Sequence, residues 1–271
     1  MVGDNIFLVE ERLIRLCKRI NAWHTLRKKK SRDKKVAIIL YGFPPNVGAT
    51  GTAALLNVPK SLENLLHHLR NEGYDIPSGV NGEQIVKHLE TILDPQYVSI
   101  GPDSVRASVS QDIEDNDNVS VLSEEVSPYQ LRRWLQFPDT WGPSEWGPME
   151  YLPSHNYLHK RMVECWGGPG TNTGIGMTAK GSSVVSGLVL GNVFIGVQPM
   201  LGVEGDPMRL LFERDLTPHP QYCAFYLYLQ KQFCADALIH FGMHGTVEWL
   251  PGKSKCFCLI RCFPVHALLK T

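Results

Sequence analysis

The segment ADALIHFGMHGTVEWLPGK, residues 235–253, concentrates residue types that do chemistry. His240 is followed by His244 four residues on, and Glu248 comes four residues after that. Two imidazoles and a carboxylate can ligate a metal ion or accept protons near neutral pH. Gly242 and Gly245 flank His244 and would let the backbone approach a ligand closely. The pattern is not the zinc-protease helix, because Phe241 rather than Glu follows the first histidine and leaves no general base at the expected place. A metallopeptidase is therefore set aside. A second set of oxygen donors lies in GVEGDP, where Glu204 and Asp206 share a tight loop. In isolation either set fits a structural or merely polar role equally well; a fold that brings the two loops together would make them one site.

Other segments carry weaker chemistry. Gly174-Ile-Gly176-Met-Thr-Ala179 fits a loose dinucleotide fingerprint, but no strand immediately precedes it and no helix clearly follows. Lys180 sits between Ala179 and Gly181, so the glycine-lysine-hydroxyl order of a phosphate loop is missing and ATP hydrolysis by this chain is excluded. The loop at residues 46–52 follows a strand and would open a helix, which suits either an anion or an ordinary strand-to-helix turn. Between residues 129 and 166 the chain is rich in aromatic residues and proline, with Trp134, Trp141, Trp146 and Trp166. These rings would either line a pocket for a flat ligand, with Trp166 as a candidate contact, or staple a loop-rich core. Cys256, Cys258, Cys262 and His266 in the C-terminal tail resemble a zinc cluster only superficially, since the one-residue gap is tighter than common zinc spacings.

The elements that must position these groups follow from periodicity. Apolar residues at Ile6, Val9, Leu13, Leu16, Ile20 and Trp23 step by three and four, which predicts an amphipathic helix over residues 4–24 packed on a neighbour. The basic run at residues 27–35 reads as a solvated connection. A strand is expected at Val36 to Tyr41, helices at residues 59–72 and 82–93, and a strand at residues 192–198. A helix at residues 219–233 and a strand at residues 235–241 follow. Strand, helix, strand at these lengths predicts a parallel pair of strands at 192–198 and 235–241, with Glu204 and His240 at one sheet edge. The expected class is α/β, built of Rossmann-like parallel strand–helix units. Residues 99–127 are polar and acidic and read as a linker or surface excursion. The domain organisation expected is 1–98, a linker at 99–127, a second α/β unit at 128–253, and a divergent tail at 254–271.

Composition narrows the function. Lys plus Arg and Asp plus Glu both number 27 in the 271 residues, so no global basic field points to nucleic acid or an anionic membrane. The longest apolar stretch, residues 184–203, is broken by Gly187, Gly191, Asn192, Gln198 and Pro199, which fits buried strands and turns rather than a transmembrane segment. Seven cysteines, odd in number and thinly spread, argue for a reducing compartment. No secretory or transit signal is expected within this chain.

Three segments carry a resemblance: YGFPPNVGATGTAALLNVPKSLENLLHHLRNEGYDIP at 41–77, GNVFIGVQPMLGVEGDPMRLLF at 191–212, and the histidine segment itself. In this order they closely resemble the large subunits of magnesium chelatase and of its relative cobaltochelatase, over roughly residues 5–253. Members of that family are several times longer, so the resemblance implies a middle portion of a larger protein, with the tail after Lys253 diverging. It implies a porphyrin-binding catalytic subunit that inserts Mg²⁺ into protoporphyrin IX, with ATP hydrolysed on separate AAA+ subunits of the I and D types. It places the protein in the chloroplast stroma of a photosynthetic eukaryote, or otherwise in the cytoplasm. Within that frame His240 and His244 become proton acceptors or metal ligands, and Glu248 and Glu204 hard oxygen ligands for Mg²⁺. Asp206 and Trp166 become tetrapyrrole-binding residues. A cobalt enzyme acting on a corrin precursor is the neighbouring reading, because imidazole suits Co²⁺ better than Mg²⁺. A truncated scaffold or regulatory tetrapyrrole-binding protein is the non-enzymatic one.

Overall fold

A computed structural model describes residues 10–41, 52–53, 56–109, 119–135, 157–168, 176–200, 209, 213 and 216–242. The described chain opens with α1 (Glu10–Lys28) and leads through a short 3₁₀ turn at Ser31–Asp33 into β1 (Val36–Tyr41). A two-residue pair of strands follows, β2 (Thr52–Ala53) and β3 (Leu56–Asn57), and then the helices α2 (Val58–Asn71), α3 (Gly82–Ile92), α4 (Pro95–Val98) and α5 (Pro102–Ala107). The second half supplies β4 (Val119–Val126), α6 (Pro128–Leu135), α7 (Tyr157–Trp166), β5 (Ser183–Leu190), β6 (Val193–Val197), α8 (Pro220–Lys231) and β7 (Ala237–Gly242).

Helix starts follow local chemistry. Asn57 caps α2 by accepting from the Lys60 amide, with Pro59 in the first turn, and Asn81 caps α3 by accepting from Glu83 and Gln84. The chain leaves α2 through Gly73, whose φ of +81° is a conformation that favours glycine.

Five strands form one sheet in the order β4-β5-β6-β1-β7. β1 runs parallel to both β6 and β7, while β4, β5 and β6 are antiparallel neighbours. The predicted strands at 192–198 and 235–241 are therefore parallel but not adjacent, since β1 lies between them. The fully apolar VAIILY of β1, all six residues buried, is what a central parallel strand requires. Alternate residues face two cores. Ile38 and Leu40 join α2 to α5 through Leu62, Leu66, Leu89 and Ile92. Ala37 and Ile39 join α6, α7 and α8 through Leu131, Met162, Tyr222 and Phe225. The result is a sheet with helices on both faces, and the α/β class expected from the sequence holds.

Three local expectations change. Residues 99–127, read as an acidic linker or excursion, contain α5 and the edge strand β4, with Val105 and Ser123 fully buried. Edge strands tolerate charge, and Glu124 and Glu125 are both exposed here, which masks the strand in composition. Helix α1 runs on to Lys28, past its predicted end, and its apolar residues Leu16, Ile20 and Trp23 are exposed rather than packed on a neighbour. The basic connection is partly tied down: Asp236 accepts from Lys29 Nζ and, at 2.8 Å, from the Lys35 amide.

Candidate functional site

His240 lies near the end of β7, paired in register with Ile39 of β1. Because Ile39 faces the core on the α8 side, the strand period sends His240 to that side too. There its Nε2 lies 3.0 Å from the Tyr226 hydroxyl, with the two rings edge to face at 5.9 Å. Tyr226 is carried by α8, held against Tyr222 and Phe225, and is almost fully buried. Its hydroxyl donates to Gln198 Oε1 at 3.0 Å, and Gln198, the residue after β6, donates its own amide N–H to the Leu40 carbonyl. The ends of β6 and β7 and the middle of α8 thus converge on one half-buried imidazole.

This convergence sits where open α/β sheets gather ligands, at the carboxyl ends of parallel strands. β6 and β7 point the same way, so the chain leaves both at the same edge of the sheet. Glu204, Asp206, His244 and Glu248 follow those strand ends in sequence but fall outside the described residues, as do most of the loop at 46–52 and the cysteine-bearing tail. Among the described residues, no group of three His, Cys, Asp or Glu side chains is gathered to hold a metal ion.

Gly242 takes a different role from the one its sequence position suggests. A side chain there would meet the Tyr41 carbonyl oxygen at 2.5 Å, and its φ is +154°. The close approach that needs glycine is made to the neighbouring strand.

Trp166 is a core residue. It is 9% exposed, donates its indole N–H to the Thr217 carbonyl at 2.8 Å, and meets the His219 ring edge to face at 5.0 Å. His219 caps α8 by accepting the Gln221 amide at Nδ1, and burial lowers its pKa from 6.5 to about 4. Trp166 and His219 therefore serve the start of α8, whereas Tyr226 and His240 meet seven residues further on, about 10 Å along the helix.

A shallow hollow open to solvent is lined by Val126, Leu131, His159, Met162, Met177 and Pro220 among others. Its lining does not include His240, Tyr226 or Gln198. The glycine-rich candidate beside it leads into a strand: Val184 donates to the Gly176 carbonyl, and Met177 bridges Ser183 at the entry to β5. A dinucleotide fingerprint needs a helix at that point.

Sequence reasoning missed Tyr226 and Gln198. Gln198 had a signal, since it immediately follows a parallel strand at its carboxyl end. Tyr226 had none, being one of three tyrosines in the apolar run YCAFYLYL.

Comparison with known proteins relates the chain as a whole to one family. Residues 2–271 match the CobN/Magnesium Chelatase family. A magnesium-chelatase subunit of Chlorobaculum parvum is 35% identical over 250 residues, covering 90% of this chain and 16% of that protein. The corresponding magnesium-chelatase subunit of Rhodobacter capsulatus is 34% identical, covering 94% of this chain and 18% of that protein. The solved catalytic subunit of cobaltochelatase from Mycobacterium tuberculosis superposes with a TM-score of 0.54 at 25% identity, covering 88% of this chain and 18% of that one. The chain thus spans less than a fifth of the length of these relatives. With its sequence matched from residue 2 to residue 271, the chain belongs to the CobN/magnesium chelatase family.

Proposed function

We propose that this chain contributes the metal-insertion edge of a magnesium chelatase large subunit, acting on protoporphyrin IX and Mg²⁺ as substrates. The observation that carries the reading is the placement of His240 at the carboxyl ends of parallel strands, in a chain of this family. Identity of 35% to a magnesium-chelatase subunit, against 29% to the aerobic cobaltochelatase subunit of Pseudomonas aeruginosa, favours magnesium. Partner AAA+ subunits of the I and D types would hydrolyse ATP.

Metallating a porphyrin removes two pyrrole protons and strips water from an ion that releases it reluctantly. In this reading neutral His240 or His244 accepts a pyrrole proton, and Glu248 and Glu204 offer the ion its oxygen ligands. Asp206 adds charge to the Glu204 loop. Trp166 acts from within the core, by fixing the start of α8.

The test is Glu248→Gln in the full-length protein. Chelation rate is measured with the partner ATPases and ATP, and porphyrin affinity by fluorescence quenching. The amide keeps the shape of the side chain and removes its charge, so insertion is expected to be abolished while affinity is spared. Near-normal turnover, or loss of affinity in parallel with turnover, overturns the assignment. The imidazole at the site favours cobalt as the second reading. Faster insertion of Co²⁺ into a corrin precursor than of Mg²⁺ into protoporphyrin would select it.

A further inference from the structure

We propose that the apolar stripe exposed on α1 is an intrasubunit docking surface, covered in the family-length protein by an apolar face with an acidic rim in the part of the large subunit outside these 271 residues. Its role rests on membership of the family and not on the chemistry assigned to His240.

Leu13, Leu16, Ile20 and Trp23 recur at steps of three and four, so they share one face of α1. They are 38%, 53%, 59% and 53% exposed, and no residue of α1 belongs to either hydrophobic core. The helix is anchored at its foot, where Lys29 donates to Asp236 beside the start of β7, and the stripe occupies the turns before that anchor. Single exposed apolar side chains are ordinary, but a contiguous row of them marks a contact surface. A 19-residue helix that packs so little of itself is marginal in water, so α1 needs cover to be stably formed.

Charge and area select what covers it. Arg27 continues the stripe one turn beyond Trp23, and Arg19 and Lys28 flank it on either side; all three are exposed. After Glu11 the helix carries no acidic residue. The complementary face is therefore apolar at its centre with carboxylates around it. A second copy of this chain fits poorly, since it would set the same basic residues against one another. A stripe of this kind exposes on the order of 300–600 Å². Two copies meeting on it would bury about 600–1,200 Å², short of the roughly 1,200–2,000 Å² of a stable complex. A covering element on the same polypeptide needs no such area, because the tether holds it at an effective concentration of roughly millimolar. The family supplies that polypeptide: this chain spans less than a fifth of its relatives, and the family match begins at residue 2, so α1 lies within it.

The test uses Cys17, exposed at the border of the stripe, as reporter, and the buried Cys223 as the control for global unfolding. Maleimide labelling of each thiol is followed by mass spectrometry in this chain alone and in the full-length subunit. Cys17 is expected to react at least about tenfold more slowly in the full-length subunit and to recover in urea. Ile20→Asp is expected to leave the urea midpoint of this chain alone unchanged. In the full-length subunit it is expected to restore fast labelling of Cys17 while Cys223 stays protected. Equal Cys17 rates in the two unaltered proteins overturn the proposal, as does a full-length Ile20→Asp variant that remains protected. A lowered urea midpoint in this chain alone would put the cover within it and overturn the proposal too. Sedimentation of this chain as a dimer that Ile20→Asp dissolves would select a second copy instead. Flotation of the full-length subunit with phosphatidylcholine–phosphatidylserine vesicles, lost in Ile20→Asp, would select an anionic membrane instead.

Discussion

Replacing His219 by Asn is expected to flatten the dependence of stability on pH. His219 is 3% exposed at the start of α8, and burial lowers its pKa from 6.5 to about 4. Its Nδ1 accepts the Gln221 amide, so protonation would also set a donor against a donor. Below pH 6.5 the unfolded chain takes up a proton at this site, while the folded chain does not until about pH 4. The stabilisation is therefore complete above 6.5 and is lost as the pH falls toward 4, at about 1.4 kcal/mol per pH unit. The full drop is about 3 kcal/mol, a large share of a typical domain's stability. Asparagine keeps the cap and does not titrate. At neutral pH the variant should be less stable by roughly 1–2 kcal/mol, from the lost packing against Trp166. On acidification the gap should close and then invert. Urea unfolding followed by tryptophan fluorescence, at intervals from about pH 7 to about pH 4.5, measures both curves. Parallel curves, with a constant gap across that range, would refute the buried neutral histidine.

Two further outcomes concern packing. Ser123 and Ser186 share a buried hydrogen bond of 3.0 Å between β4 and β5. Ser186→Ala alone should cost about 1–3 kcal/mol by orphaning the partner hydroxyl, and adding Ser123→Ala should restore part of it; a denaturation cycle in which the two losses simply add would contradict this. Gly82→Ala should destabilise by about 1–3 kcal/mol or more, because the new methyl would stand 1.9 Å from the Pro59 carbonyl oxygen where α3 meets α2. An unchanged urea midpoint would show that the α2–α3 contact gives way freely.

Legibility in the sequence followed burial. VAIILY of β1 and the capped amphipathic helices α2 and α3 were readable from composition, period and caps, and α8 from its length as an apolar run, since it is buried on almost every side. β4 was not, because its apolar residues Val119, Val121, Leu122 and Val126 do not alternate along the whole strand and the run is interrupted by two glutamates. The position of β1 between β6 and β7 was also hidden, since strand order depends on pairings across most of the chain and local pattern is silent on them. Among the candidate residues, His240 was singled out by its type and spacing, and it lies near a strand end as its position in the pattern suggested. Tyr226 was not, because a tyrosine that meets a histidine looks in sequence like one that fills a core. Trp166 misled for the same reason in reverse: a ring suited to a flat ligand is equally suited to a helix junction.

The order β6-β1-β7 also bears on how the protein is made. β1 leaves the ribosome well before its two neighbours, which begin at Val193 and Ala237, some 150 to 200 residues later. At usual synthesis rates of about 5–20 residues per second, the VAIILY strand waits on the order of 10 to 40 s with both edges unpaired. Both strands that will pair with it are still untranslated during that time. Such a run is an attractive template for strands of other chains. The nascent protein is therefore expected to depend on chaperones that hold the β1 region until α8 and β7 arrive, and arrest of synthesis before β7 should leave an aggregating product rather than a smaller folded one.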